Sequence, residues 1–345
     1  MNITLTSGSI FNGNPITFAV TPTSVVNASM HRIILEVECG ISGGNYEVIK
    51  MSAPVIAEGK AQTIDISSAL RIFRDSYEYT PDATSYPLVK FNVKVYDEYM
   101  TDGDIHQTEP IFYPSAEDHL CSIFGAFSDF DRLTSGVTKG VQQFTRKPTT
   151  LPQLCAVGET LAYTPAYTEA QMLEQSLSLT PPQSKIAPIT KEGIQTLGYQ
   201  QIFALPAEEA KDRQVFRFIN SFGVLESVSI PRVTTKSRRI DSEQNVIARQ
   251  ETFNMFSRFA TRKFNNRETW KFITDPLDEA WLLWYIHEFL MSEHVWIQSP
   301  SSATTWLRVH IVPEEETTFL DESKNEQHVI SFSAQFDITG SPKSF

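Results

Sequence analysis

Apolar and polar residues alternate one by one in short runs along much of this chain, a period that places side chains on the two faces of β-strands. Ile16-Thr17-Phe18-Ala19-Val20 is one such run, and Thr21-Pro22-Thr23 breaks it. His31 to Cys39 resumes with β-branched residues before Gly40, and Gly43-Gly44-Asn45 leads into Tyr46 to Lys50, so Ile33 to Lys50 reads as a hairpin. Pro87 to Tyr96 alternates again. One short helix interrupts the pattern at Asp65 to Phe73, where apolar positions 66, 69, 70 and 73 follow capping residues. Short strands at a spacing of roughly ten residues predict a β-sandwich domain over 1–115.

The alternation fades between 116 and 210. Seven prolines from Pro148 to Pro206 fall among Thr- and Ser-rich stretches, which predicts an irregular connecting segment or arm, either extended or made of short strands with long loops, without a compact core of its own. Strand patterns return over 211–345. Val215 to Asn220 and Val224 to Ile230 flank a Ser221-Phe222-Gly223 turn, and further strands are expected within 251–273, 294–298, 306–312 and 327–338. Thr274-Asp275-Pro276 followed by Asp278 and Glu279 reads as a helix start, with Asp275 as cap and Pro276 in the first turn. The predicted helix, 276–291, is apolar nearly all round and leaves mainly Asp278, Glu279, His287 and Glu288 for water. The fold class expected is therefore mainly β with one prominent C-terminal helix, a β-sandwich plus an α+β module.

Charge is distributed unevenly. The net charge of the 345 residues is −12, which disfavours binding to nucleic acid or anionic lipid. Between Arg232 and Lys271, however, ten Lys or Arg face four acids, a local balance of +6 that leaves −18 on the rest. Phenylalanines 253, 256, 259 and 264 lie among these cations, a pattern also found where single-stranded nucleic acid stacks. The field of the whole chain would repel a polyanion, so the stretch reads instead as a solvated strand face or as a partner for acidic segments of a neighbouring subunit. The longest apolar run, Ala280 to Ile286, is far below the ~20 residues of a membrane span. Met1 to Gly8 has neither the basic nor the apolar region of a secretory signal, so synthesis in a cytoplasm is expected. Cys39, Cys121 and Cys155 are odd in number and widely spaced, which suits buried thiols in a reducing compartment.

No motif for catalysis, metal or cofactor emerges. His287-Glu288 opens like the zinc-protease HExxH, but Met291 replaces the second histidine. Gly125-Ala126-Phe127-Ser128-Asp129 lacks the second glycine of a nucleophile elbow. No GxGxxG or GxxxxGK[ST] phosphate loop occurs, and the Asp102-Gly103-Asp104 and Asp129 to Asp131 turns lack the spacing of a calcium loop. A non-enzymatic protein without catalytic, cofactor-binding or metal-ligating residues is expected. Tryptophans 270, 281, 284, 296 and 306, all five in the chain, crowd the C-terminal module. Tryptophans of this kind build a core or anchor an interface. Arg238, Arg239, Arg258, Trp281 and Trp284 are the candidate subunit-interface residues.

Four sets of short segments stand out together: Phe218 to Val224, the helix start Asp278 to Leu283 leading to Leu290 to Ile297, the closing Val329 to Phe336, and the N-terminal Asn14 to Phe18 with Ile64 to Ser67. In these segments the chain resembles tail proteins of phages and prophages of Bacteroides-type bacteria. The likeness covers about 1–110 and 213–340 and leaves the middle unmatched. It implies a structural virion component similar to distal tail or baseplate proteins. Such a protein would form a ring at the tail tip by self-association and contact other tail proteins, whether tube, hub, fibre or receptor-binding, with no specific nucleic-acid partner and no membrane insertion. Head-to-tail contacts of this kind close into rings when the rotation permits, and Glu314-Glu315-Glu316 is the acidic segment expected to meet the basic stretch. A carbohydrate- or receptor-binding module of a phage or bacterial surface assembly is the rival reading, with Trp306 and the 300–305 loop as its contact points.

Overall fold

The computed structural model describes the chain except residues 8–10, 26–27, 42, 75–76, 83, 85–87, 127–144, 149–150, 165–182, 199, 233–234, 252–253, 314–327 and 338–345; along 238–251 and 254–267 it describes the backbone. Strands take 53% of the residues and helices 10%, so the mainly β class expected from the alternation is the class observed. No helix among the described residues is long and apolar enough to cross a membrane. The chain forms two compact units, each assembled from separate stretches of sequence.

The first unit comprises Met1–Arg146, Thr164–Lys185 and Asn220–Leu225. Its strands are β1 (Asn2–Ser7), β2 (Thr17–Thr21), β3 (Met30–Ile41), β4 (Glu47–Pro54), β5 (Gln62–Asp65), β6 (Leu88–Thr101), β7 (Asp104–Gln107), β8 (Ile111–Tyr113) and β9 (Leu120–Ile123). One sheet runs β1-β2-β5; the other runs β4-β3-β6-β7, with β8 and β9 also paired to β6. The predicted hairpin is the antiparallel β3–β4 pair, Leu35 opposite Met51. Alternation sets the core: Leu35, Val37 and Cys39 of β3 stand opposite Val95, Val93 and Phe91 of β6, and all six are fully buried. The Phe18 ring meets Tyr113 edge-on at 5.3 Å. Helix α1 (Ser67–Arg71) is short, and Asp65 Oδ1 secures its entry by accepting from the N–H groups of Ser67 (2.9 Å) and Ile16 (3.1 Å). The predicted Ser221-Phe222-Gly223 turn also lies here. Asn220 Oδ1 accepts from the N–H groups of both Phe222 and Val224 at 3.0 Å, and Gly223 takes a φ of 75° that a side chain rarely adopts.

The second unit comprises Lys147–Tyr163, Ile186–Ile219 and Glu226–Phe345. Its strands are β10 (Gln153–Ala156), β11 (Thr160–Tyr163), β12 (Lys185–Pro188), β13 (Gly193–Leu197), β14 (Gln200–Leu205), β15 (Arg213–Ile219), β16 (Leu225–Pro231), β17 (Thr235–Glu251), β18 (Asn254–Ile273), β19 (Val295–Gln298), β20 (Trp306–Pro313) and β21 (Ser331–Asp337). Seven of them form one sheet, β16-β15-β19-β20-β21-β18-β17, and the others form small sheets β10-β14-β13 and β11-β12. Its core centres on Phe216, whose ring lies 5.1 Å from that of Phe272, 5.4 Å from Phe289 and 5.9 Å from Phe332, each edge-on.

Two expectations need correction here. The described part of 116–210 takes the form of short strands, β9 to β14, but it does not lack a core: Cys155, Leu161, Ile189, Ile202 and Ala204 pack together. These strands are four to six residues long, and β10 pairs in parallel with β14, Cys155 opposite Ala204, a partnership that no local period reveals. The helix begins later than position 276. Leu277 is engaged in a β-bridge with His328, donating its N–H to the His328 carbonyl at 2.7 Å, so helix α2 (Glu279–Trp284) starts after Asp278. The Asp278 carboxylate accepts from the Trp281 N–H at 2.9 Å and is the true cap. A π-helical turn, Tyr285–Leu290, continues α2 to its end.

Candidate functional site

The most extended feature of the second unit is the hairpin of β17 and β18. The two strands pair antiparallel from Thr235 opposite Lys271 to Glu251 opposite Asn254, with one bulge between Glu243 and Gln244. Among the described residues, β18 continues into the sheet along Arg267–Ile273, where it pairs with β21. Residues 240–251 and 254–266 therefore pair, among the described residues, only with each other. At ~3.4 Å per residue this two-stranded ribbon reaches about 40 Å.

Three of the candidate interface residues lie on this hairpin. Arg238 stands opposite Glu268, Arg239 opposite Arg267, and Arg258 opposite Ile247 near the middle of the ribbon. Before the ribbon leaves the sheet, Lys236 is exposed and its ammonium sits 3.7 Å above the Trp270 ring. The acidic segment Glu314-Glu315-Glu316, expected to meet this stretch, is outside the described residues.

Trp281 and Trp284 belong elsewhere. They are 5% and 2% exposed and pack edge-on against each other at 5.2 Å, with Tyr285 against Trp284 at 5.1 Å, so their rings fill the core and present no surface to another subunit. The helix turns a different side outward: Glu279, Leu283, His287 and Met291 are exposed, Met291 by 71%. Glu288, expected to face water, is buried, because it lies four residues past Trp284 on the inward stripe.

The groups with the most perturbed chemistry belong to no sequence motif. Lys147 is buried and donates to the Ser227 carbonyl at 2.6 Å and to Gln153 Oε1 at 3.1 Å, with the Trp284 ring 5.2 Å from its ammonium. Burial brings this lysine down to about 8, against the pull of Glu226. Gln200 Nε2 donates to the same Gln153 oxygen at 2.6 Å. Glu159, raised by burial, accepts from the Ala156 N–H at 3.0 Å and from the Ser229 hydroxyl at 2.8 Å. Arg213 reaches both Ser229 and Asp275, and burial pushes the nearby Tyr285 phenol up. These residues join β10, β14, β15 and β16 through backbone groups and one another, the hydrogen bonding that buried polar groups require. Their sequence separations run to 80 residues, so spacing carries no signal of them.

The rival contact points are partly occupied. One face of the Trp306 ring is covered by the Arg217 guanidinium at 4.0 Å, and the 299–305 loop is tied by its own serines and threonines, Ser299 to Ser301 and Ser302 to Thr305 at 2.9 Å each. Cys39 and Cys155 are buried, and burial pushes both thiols up to about 12. Among the described residues no three His, Cys, Asp or Glu side chains group as metal ligands. No protein family, curated protein or solved structure matches the chain.

Proposed function

We propose that this protein is a structural component of a phage tail that associates with copies of itself into a ring at the tail tip, and that the β17–β18 hairpin is the element it extends toward a neighbour. The observation that carries this reading is the ribbon itself. A two-stranded ribbon is marginal in water on its own, and its outer edges, which pair with nothing else among the described residues, invite another chain. Its cationic root, with Arg239 opposite Arg267, favours an acidic partner, and the −18 carried by the rest of the chain makes a second copy the complementary one. A chain with long side surfaces of opposite charge can close head to tail into a ring.

The test is the oligomeric state of the full chain by mass photometry and negative-stain imaging. Self-association that weakens in high salt and is lost in Arg238→Glu/Arg239→Glu, with circular dichroism unchanged, is the expected result. An assembly indifferent to both changes overturns the electrostatic contact. A chain that stays monomeric at all concentrations and binds host polysaccharide on a glycan array points instead to the receptor-binding reading.

A further inference from the structure

The first unit contains a histidine set between two carboxylates. His31, at the start of β3, has a side chain only 5% exposed; its Nδ1 lies 2.8 Å from Glu58 Oε1, in the β4–β5 connection, and its Nε2 lies 3.7 Å from Asp97 Oδ1 on β6, whose side chain is fully buried. Neither that Nε2 nor that Oδ1 has a hydrogen-bond partner among the described residues. A carboxylate at 2.8 Å requires a proton on Nδ1. With a neutral ring, Nε2 would then aim a lone pair at a buried carboxylate oxygen, leaving two acceptors face to face at a cost comparable to a lost hydrogen bond or more. A second ring proton removes the conflict and gives each carboxylate a cationic donor.

The same two carboxylates hold the β2–β3 connection. Asp97 Oδ2 accepts from the Thr23 N–H at 2.7 Å, and Glu58 Oε2 accepts from the Val25 N–H at 2.9 Å. The His31 hydrogen bond, followed by the Val25 N–H, holds the Glu58 carboxyl below its ordinary range. The other groups around the ring are Tyr99 of β6, edge-on at 5.9 Å, and His106 of β7, stacked on the far side of Tyr99 at 5.4 Å; Arg32 and its partner Glu98 alternate to the opposite face of the sheet.

We propose that His31 is an imidazolium bridging Glu58 and Asp97, and that this bridge is a proton-operated clasp fastening Thr23 and Val25 to the body of the unit. Loss of the Nε2 proton at higher pH restores the facing acceptors, pushes His31 and Asp97 apart and frees the two backbone N–H groups.

The full chain labelled with ¹⁵N-histidine tests this, the His31 signals being identified by their loss in His31→Gln. Both ring nitrogens protonated at pH 6, one of them losing its proton by pH 9, and amide exchange at Thr23 and Val25 accelerating about tenfold beyond its intrinsic pH dependence across that step is the expected result. His31→Gln should abolish the step in exchange; if that variant does not fold, Asp97→Asn should do the same. A singly protonated ring at pH 6 overturns the proposal, as does deprotonation that leaves exchange at Thr23 and Val25 unchanged. A chelator-sensitive change at Nε2 when zinc is added at pH 7 also overturns it, since a cation would then occupy the place assigned to the proton.

Discussion

Arg213 grips Asp275 with two bonds, Nη2 at 2.7 Å from Oδ2 and Nη1 at 3.3 Å from Oδ1, while Nε and Nη2 of the same guanidinium reach the hydroxyl and carbonyl of Ser229 at 2.9 Å. This pair ties the start of β15 to the residue that local sequence marks as a helix cap. It takes Asp275 away from that role, and the cap passes to Asp278.

Removing one partner of a buried pair strands the other. Asp275→Ala is expected to destabilise the second unit by roughly 3–5 kcal/mol, whereas Arg213→Met/Asp275→Leu together should cost clearly less. Urea denaturation followed by tryptophan fluorescence reads the unit selectively, because all five tryptophans lie in it. Equal losses in the single and double variants would show that the pair is not coupled.

Asp278→Ala should cost about 1 kcal/mol through the lost cap on the Trp281 N–H. Asp278→Asn keeps an accepting oxygen and should recover most of it. The same denaturation measurement compares the two, and an equal loss in both would assign the effect to charge.

Gly223 is expected to reject any side chain. Its φ is 75°, and a Cβ built there runs into the Phe124 carbonyl oxygen within the same unit. Gly223→Ala should therefore cost roughly 3 kcal/mol or more, from overpacking and strain together. Gly43 has a φ of 90° but open space around it, so Gly43→Ala isolates the conformational share and should cost about 1 kcal/mol. Chemical denaturation monitored by circular dichroism gives both values.

Lys147 predicts a pH dependence with a definite sign. Folding brings its ammonium down to about 8 from 10.5, so between these values the unfolded chain binds more protons. The contribution of this residue to stability is therefore unfavourable below about pH 8 and rises up to about pH 10.5. The difference in unfolding free energy between the parent chain and Lys147→Met, measured from pH 7 to 10, should shift in favour of the parent as pH increases. A difference that does not change with pH would mean that the ammonium is not desolvated.

How much of this was legible in the chain depends on the range over which each feature is encoded. The β3–β4 hairpin, the buried stripe of β3 and β6 and the Asn220 to Gly223 turn follow from period-two alternation and turn residues, which act over a few positions. The helix was legible in existence but not in its start, since Asp275-Pro276 is a local signal, whereas Arg213 engages Asp275 and the Leu277–His328 bridge holds the chain extended up to Asp278. The crowding of the tryptophans is plain in the sequence, yet only the packing of α2 sends Trp281 and Trp284 inward and leaves Leu283 and Met291 outside. The Lys147 and His31 clusters were invisible, because each gathers residues from strands and connections far apart in sequence.

The sequence by itself therefore determined the strand class, the principal turns and the concentration of cations between Arg232 and Lys271, all properties of neighbouring residues. Tertiary structure decided that the loose middle segment holds paired strands and which polar groups are buried together. It also set how far the β17–β18 hairpin outruns its sheet. These depend on pairings between distant segments, where burial and register, rather than local preference, select the partner.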